Sequence, residues 1–204
     1  MRKAFFIVTF LIAFLSITGM ALNATYEKER EKEQEIRQQF EREQEERKKE
    51  AQQHLQKRKE LAKKAGTTEE LISVLEKYAA SYELPFNIVY ELVKLESSFN
   101  PELTSYNEWN DTYDRGLLQL NDNTSPWLAE KVGIKNFDYE TTYDPEMNVK
   151  MGLWYLSFLH KKYQSWHDTL TAYNRGMTGL KNYVQRNGTS KSAYSKIILS
   201  YLDQ

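Results

Sequence analysis

A mainly α-helical chain is predicted, in three parts: an N-terminal membrane anchor or signal segment over 1–23, a charged helical spacer over 24–66, and a compact helical domain over 67–204. Three observations predict it. An uncharged apolar run from Ala4 to Leu22 opens the chain. A stretch built almost wholly from Glu, Lys, Arg and Gln follows, free of Gly and Pro until Gly66. Beyond Gly66, apolar residues recur at i, i+3, i+4 and i+7 between capping residues, and no period-2 alternation stands out.

The apolar run holds about 19 residues, enough at ~1.5 Å per residue to cross a hydrocarbon core of ~30 Å. Its length favours an uncleaved anchor over a cleaved signal, whose apolar core is usually about 7–15 residues. Gly19 and Ala21 nevertheless offer small residues for cleavage after Ala21. Arg2 and Lys3 keep the N-terminus cytoplasmic, so the remainder is expected outside the membrane, as a single-pass protein or as a secreted one.

The spacer is made of good helix formers, and Arg37–Glu41, Glu43–Arg47 and Glu45–Lys49 sit at the supporting i, i+4 distance. Only Ile36, Phe40, Ala51, Leu55 and Leu61 are available for a seam. A solvated helix therefore outranks a dimerising coiled coil. At full helicity about 38 residues reach roughly 57 Å.

In the third part, Thr67 and Glu70 have capping-box spacing ahead of Leu71, Val74, Leu75 and Tyr78. Pro85 suits the first turn of a second helix that runs to about Ser98 and stops before Pro101. A polar, turn-rich stretch follows. Ser125-Pro126 and Asp144-Pro145 each read as an N-cap followed by Pro at the first helical position. The second of them opens a long helix carrying Met147, Met151, Tyr155, Phe158 and Leu159, and Gly188 separates the helices that complete the chain.

Composition excludes several functions. Lys and Arg (28) nearly balance Asp and Glu (29), so bulk charge gives no reason to expect nucleic acid. There is no cysteine, hence no disulfide, thiol nucleophile or zinc–thiolate site. The three histidines, His54, His160 and His167, are scattered, so neither a metal nor a cofactor is expected.

One position breaks the pattern. In "IVYELVKLESSFNP", Val89, Leu92 and Val93 form an apolar stripe whose next place is taken by Glu96, near a helix C-terminus where the backbone dipole disfavours negative charge. Burial and dipole both raise a carboxyl pKa, which suits a proton donor.

Three stretches add to this: Glu96-Ser97-Ser98-Phe99-Asn100-Pro101, then Gly116-Leu117-Leu118-Gln119, then Ala172-Tyr173-Asn174-Arg175-Gly176. Their order and spacing resemble the lytic transglycosylases, lysozyme-like enzymes related to goose-type lysozyme, whose pattern is E-S-x-F/W-N-P, G-L-M-Q and A-Y-N-x-G. Ser105 resembles the family's serine after N-P. "DPEMNVKMGLWYL" resembles a family helix, with Asn148, Gly152, Tyr155 and Leu156 in register. The likeness spans about residues 72–188. Leu118 replaces the usual Met at similar volume, and Arg175 stands where a small residue is usual.

The resemblance implies a lysozyme-like helical domain that cleaves the MurNAc–GlcNAc β-1,4 bond of peptidoglycan. It implies Glu96 as the catalytic residue, acting first as acid and then as base, while the sugar's 6-hydroxyl attacks to leave a 1,6-anhydro end. It also implies that Ser105, Gln119, Tyr173 and Asn174 contact substrate. By residue type alone, Gln119 could instead cap a loop and Tyr173 could be a core aromatic. The tryptophans Trp109, Trp127, Trp154 and Trp166 read mostly as core or rim.

Hydrolytic glycosidases normally need a second acid. Goose-type lysozymes carry an aspartate two positions after the Gln; here that position is Asn121, and Asp122 is one step on. Asn121 favours the single-Glu chemistry. The segment 106–115 brings Glu108, Asp111 and Asp114, read as solvated acids by default, of which one could hold a water. A muramidase on the same fold and a non-enzymatic wall-binding assembly protein are the other two readings. The expected partners are glycan strands and the membrane, and a secretion, conjugation or phage structure would fit a tethered enzyme.

Overall fold

The computed structural model describes residues 2–108 and 110–201, and within the first helix it leaves aside the side chains of residues 2–15, 17 and 21. Seven helices, a small sheet and a 3-10 turn are found among them: α1 Arg2–Ala65, α2 Glu69–Ser81, α3 Phe86–Ser97, β1 Thr104–Asn107, β2 Thr112–Arg115, β3 Leu120–Asn121, α4 Ser125–Lys131, the 3-10 turn Tyr139–Tyr143, α5 Pro145–Tyr163, α6 Trp166–Asn187 and α7 Ala193–Leu199. The chain divides into two compact units, Met1–Gln56 and Lys57–Gln204.

The first unit is helical throughout its described residues, as its composition predicts. Arg37 and Glu41 pair at 3.3 Å, one of the three pairs read from sequence. Ile36 and Phe40 are exposed. The apolar run assigned to a membrane anchor, residues 4–22, falls mostly on side chains outside those described. Among the described residues, no helix is long and apolar enough to cross a membrane.

The second unit begins before Gly66 because the end of α1 joins its core. Ala62 is buried there, Leu61 packs beside it, and Arg58 donates to Glu76 of α2 at 2.7 Å. The helix cap lies one residue later than predicted. Thr68, not Thr67, has extended backbone angles and accepts from the Leu71 amide at 3.1 Å. Two adjacent threonines offer the same side-chain chemistry, and only the backbone turn selects between them.

The central element is α5. Val149, Met151, Leu153, Leu156 and Leu159 are fully buried, and α5 packs against α2, α4 and α6. Asp144 caps it as predicted, accepting from the Met147 amide at 2.8 Å. The Ser125-Pro126 cap is shifted: Thr124 precedes α4, and the Ser125 hydroxyl donates to the Asn121 carbonyl instead.

The sheet is the element that periodicity misses. Its antiparallel order is β1-β2-β3, with Ser105 opposite Asp114, Asn107 opposite Thr112, and Asp114 opposite Asn121. Strands of four, four and two residues, almost all polar, have too few alternations to show a period. Tertiary anchoring holds them. Asn148 of α5 donates to the Arg115 and Thr142 carbonyls at 3.0 and 2.6 Å, and its oxygen accepts from the Leu118 amide at 2.9 Å. Gly116 between them has φ +74°, and a Cβ there would collide with Asn148 and the Thr142 carbonyl.

Candidate active site

A cleft of about 400 Å³ opens between α3, the sheet, α4, α5 and the middle of α6. Glu96 lines it from the last turn of α3. The stripe below it is dry: Val89, Leu92 and Val93 are fully buried. The helix ends at Ser97, one residue past Glu96, and is followed by two left-handed residues, Ser98 (φ 50°) and Phe99 (φ 62°). A bulky residue in this region costs roughly 1–3 kcal/mol and needs compensation. Phe99 has it, being buried with its ring 4.9 Å from that of Tyr90. The chain thus reverses within two residues and leaves the carboxyl at the cleft wall.

Burial pushes the Glu96 carboxyl up to about 7. A hydrogen bond from the Tyr194 hydroxyl pulls it back down, and the charge of Asp114 adds a smaller upward push. A carboxyl with this value is part protonated at neutral pH, which a general acid requires.

The three motifs converge on this cleft. Gln119 (φ 44°) lines it, with its side-chain nitrogen donating to the Leu103 and Gly116 carbonyls at 3.1 and 2.9 Å. It therefore shapes the cleft's turn as well as facing the cleft. Tyr173 lines the cleft too, and its hydroxyl donates to the Leu118 carbonyl at 3.0 Å. Its ring lies 5.6 Å from that of Tyr155. Burial and the nearby Glu96 hold the Tyr173 phenol well above the ordinary value. Asn174, Arg175 and Gly176 line the cleft because α6 breaks there: Gly176 has φ 72° and ψ 164°, a conformation that favours glycine. Arg175 also lies over the Tyr183 ring at 4.9 Å. Ser105, on β1, pairs with Asp114 on β2 but does not line the cleft.

Tyr194 was not singled out in the sequence, and Asp114 was named there only among three acids read as solvated by default, of which one could hold a water. Tyr194, on α7, lies 98 positions from Glu96, outside every motif, so only folding brings the two together. Asp114 differs from its neighbours Glu108 and Asp111, which are exposed as expected. It lies on the cleft side of β2, where burial raises its pKa against hydrogen bonds from Asn121 and Asn107 and the charge of Arg115. Asn121, read as a missing acid, donates to Asp114 at 2.7 Å and to the Thr112 hydroxyl at 2.8 Å. Asp122 is engaged elsewhere, pairing with Arg115 and accepting from the Tyr113 amide at 3.0 Å.

The other candidates have structural roles. Trp127 and Trp154 form an edge-on pair at 5.4 Å beside the core, and His160 stacks on Trp166 at 3.8 Å. The His167 Nδ1 lies 2.9 Å from the buried Ser195 hydroxyl. Trp109 lies outside the described residues. Among the described residues, no group of three or more His, Cys, Asp or Glu is placed to hold a metal.

Residues 73–196 match the sequence profile of the Transglycosylase SLT domain. Similar solved structures include an inactive mutant of the lytic transglycosylase Slt from Pseudomonas aeruginosa, at 20% identity and TM-score 0.53, covering 63% of this chain and 22% of that one. The 70 kDa soluble lytic transglycosylase SLT70 from Escherichia coli matches at 20% identity and TM-score 0.53, covering 63% and 23%. A complex of the 70-kDa soluble lytic transglycosylase with bulgecin A matches at 19% identity and TM-score 0.54, with the same coverage. This chain therefore spans under a quarter of the length of those structures, and the likeness is one of fold. No curated protein sequence matches it.

Proposed function

Because the chain belongs to the Transglycosylase SLT domain family, we propose that it is a peptidoglycan lytic transglycosylase that cleaves the MurNAc–GlcNAc β-1,4 bond and leaves 1,6-anhydro-muramyl ends. The observation that carries the reading is Glu96, a carboxyl in a polar cleft with a pKa of about 7, held by Tyr194.

Glu96 gives its proton to the glycosidic oxygen as the bond to the anomeric carbon breaks. As a carboxylate it then takes the proton of the sugar's 6-hydroxyl while that oxygen closes on the anomeric carbon. A pKa near neutrality serves both steps, since the group must first give and then accept a proton at the same pH. Gln119, Tyr173 and Asn174 are proposed to orient the sugars. Ser105 is proposed to act from the strand beside Asp114.

The location belongs to the same proposal. The apolar run 4–22 preceded by Arg2 and Lys3 tethers the protein in the cell membrane, the charged helix spaces it away, and the domain works outside on glycan strands. A secretion, conjugation or phage structure that needs a local opening in the wall is the setting such a tether would serve.

The test is digestion of purified peptidoglycan by the detergent-solubilised full chain and by Glu96→Gln, with products identified by mass spectrometry. Anhydro-muramyl ends are expected from the wild type, with the variant's rate falling by about 100-fold or more. Digestion by the variant at the wild-type rate would remove Glu96 from the role of acid.

A further inference from the structure

We propose that Asp114 opens a hydrolytic branch in this cleft by holding a water against the anomeric carbon, so that reducing muramyl ends are released beside anhydro ends. The inference rests on glycosidic cleavage with Glu96 as acid.

The geometry sets Asp114 apart from a solvated surface acid. It sits on the middle strand of the sheet, paired on one side with Ser105 and on the other with Asn121. Asn121 fixes its carboxylate at 2.7 Å, and Asn107 bonds to it as well. Both amides line the cleft with it. Side chains alternate along a strand, so the next residue, Arg115, faces away and is taken up by Asp122. The carboxylate is left to the cleft, where its charge reaches Glu96.

A second carboxylate here has a cost, since the two acids disfavour each other's ionisation. Single-acid chemistry has no use for such a group. Hydrolysis does, because water attacking a sugar carbon needs an acceptor for its proton. Asn121 cannot accept that proton, whereas a carboxylate that Asn121 orients can.

The step balances. Glu96 passes its proton to the departing oxygen as the C1–O bond breaks. Water oxygen bonds to C1 and the water's proton goes to Asp114. One water is consumed, each sugar gains a hydroxyl, and exchange with solvent returns the proton to Glu96. In the competing branch the 6-hydroxyl takes the place of water and none is consumed.

The experiment is digestion of purified peptidoglycan in ¹⁸O-water by the full chain and by Asp114→Asn, counting labelled reducing ends and anhydro ends by mass spectrometry. The wild type is expected to give both. In the variant the ratio of labelled reducing ends to anhydro ends is expected to fall by at least about tenfold, whatever the total rate becomes once the Asp114 charge no longer acts on Glu96. Anhydro ends alone from the wild type, read without any variant, overturn the inference and leave the transglycosylase intact. So does an unchanged ratio in a folded variant, or equal loss of both products at an unchanged unfolding midpoint. No cleavage at all by the wild type overturns the glycosidase reading, and this inference with it.

Discussion

Replacing the proposed acid should make the protein more stable, and only at high pH. In the unfolded chain the Glu96 carboxyl titrates at its ordinary 4.5, and in the folded protein at about 7. Between those values the unfolded state is ionised while the folded state still holds a proton. The raised value therefore costs nothing well below pH 4.5. The cost grows as pH rises and is complete above about pH 7. At ~1.36 kcal/mol for each pH unit, the full cost is about 3 kcal/mol. Glutamine has nearly the same shape and no charge at any pH, though it accepts more weakly from Tyr194. Glu96→Gln is expected to gain about 2–3 kcal/mol at pH 8 and close to nothing at pH 4. For a domain of this size that is a rise in Tm of about 5–10 °C at pH 8. Thermal unfolding followed by circular dichroism at both pH values measures it. A difference between wild type and variant that is the same at both would refute the reasoning, because the carboxyl would then titrate alike folded and unfolded.

Other expectations follow from the same geometry. Tyr194→Phe removes a donor that favours the ionised form of Glu96, so the alkaline limb of the activity profile should move up by about 1 pH unit; an unmoved or lowered limb counts against the contact. Gly176→Ala puts a side chain at φ 72°, ψ 164°, where beyond the adjoining backbone of α6 nothing lies within 4 Å of the new Cβ, so the cost is chiefly backbone strain. Urea unfolding should show a loss of roughly 1–3 kcal/mol, with a fall in activity as Asn174 and Arg175 shift.

The helices were legible because each has a local cause. The Asp144 cap, the stop at Gly188 and the buried stripe through Val89, Leu92 and Val93 are each written within a few residues of local sequence. The sheet was not legible, because its strands are short and polar and are held by Asn148, more than 25 residues further along the chain. At the site, Glu96, Gln119, Tyr173 and Asn174 could be read from motif order, and all four line the cleft. Tyr194 carried no local signal. Asp114 carried a misleading one, since an acid in a polar stretch between turns looks solvated wherever it faces.

By itself the sequence determined the charged helix, the helical domain and the misplaced carboxylate, since periodicity, caps and composition act over one or two turns. Only the tertiary structure decided what surrounds that carboxylate. The Tyr194 hydroxyl and the Asp114 charge reach Glu96 from α7 and β2, and Asn121 turned out to hold an acid where it had been read as the lack of one. Burial and charge act through space, so the pKa of Glu96 belongs to the fold.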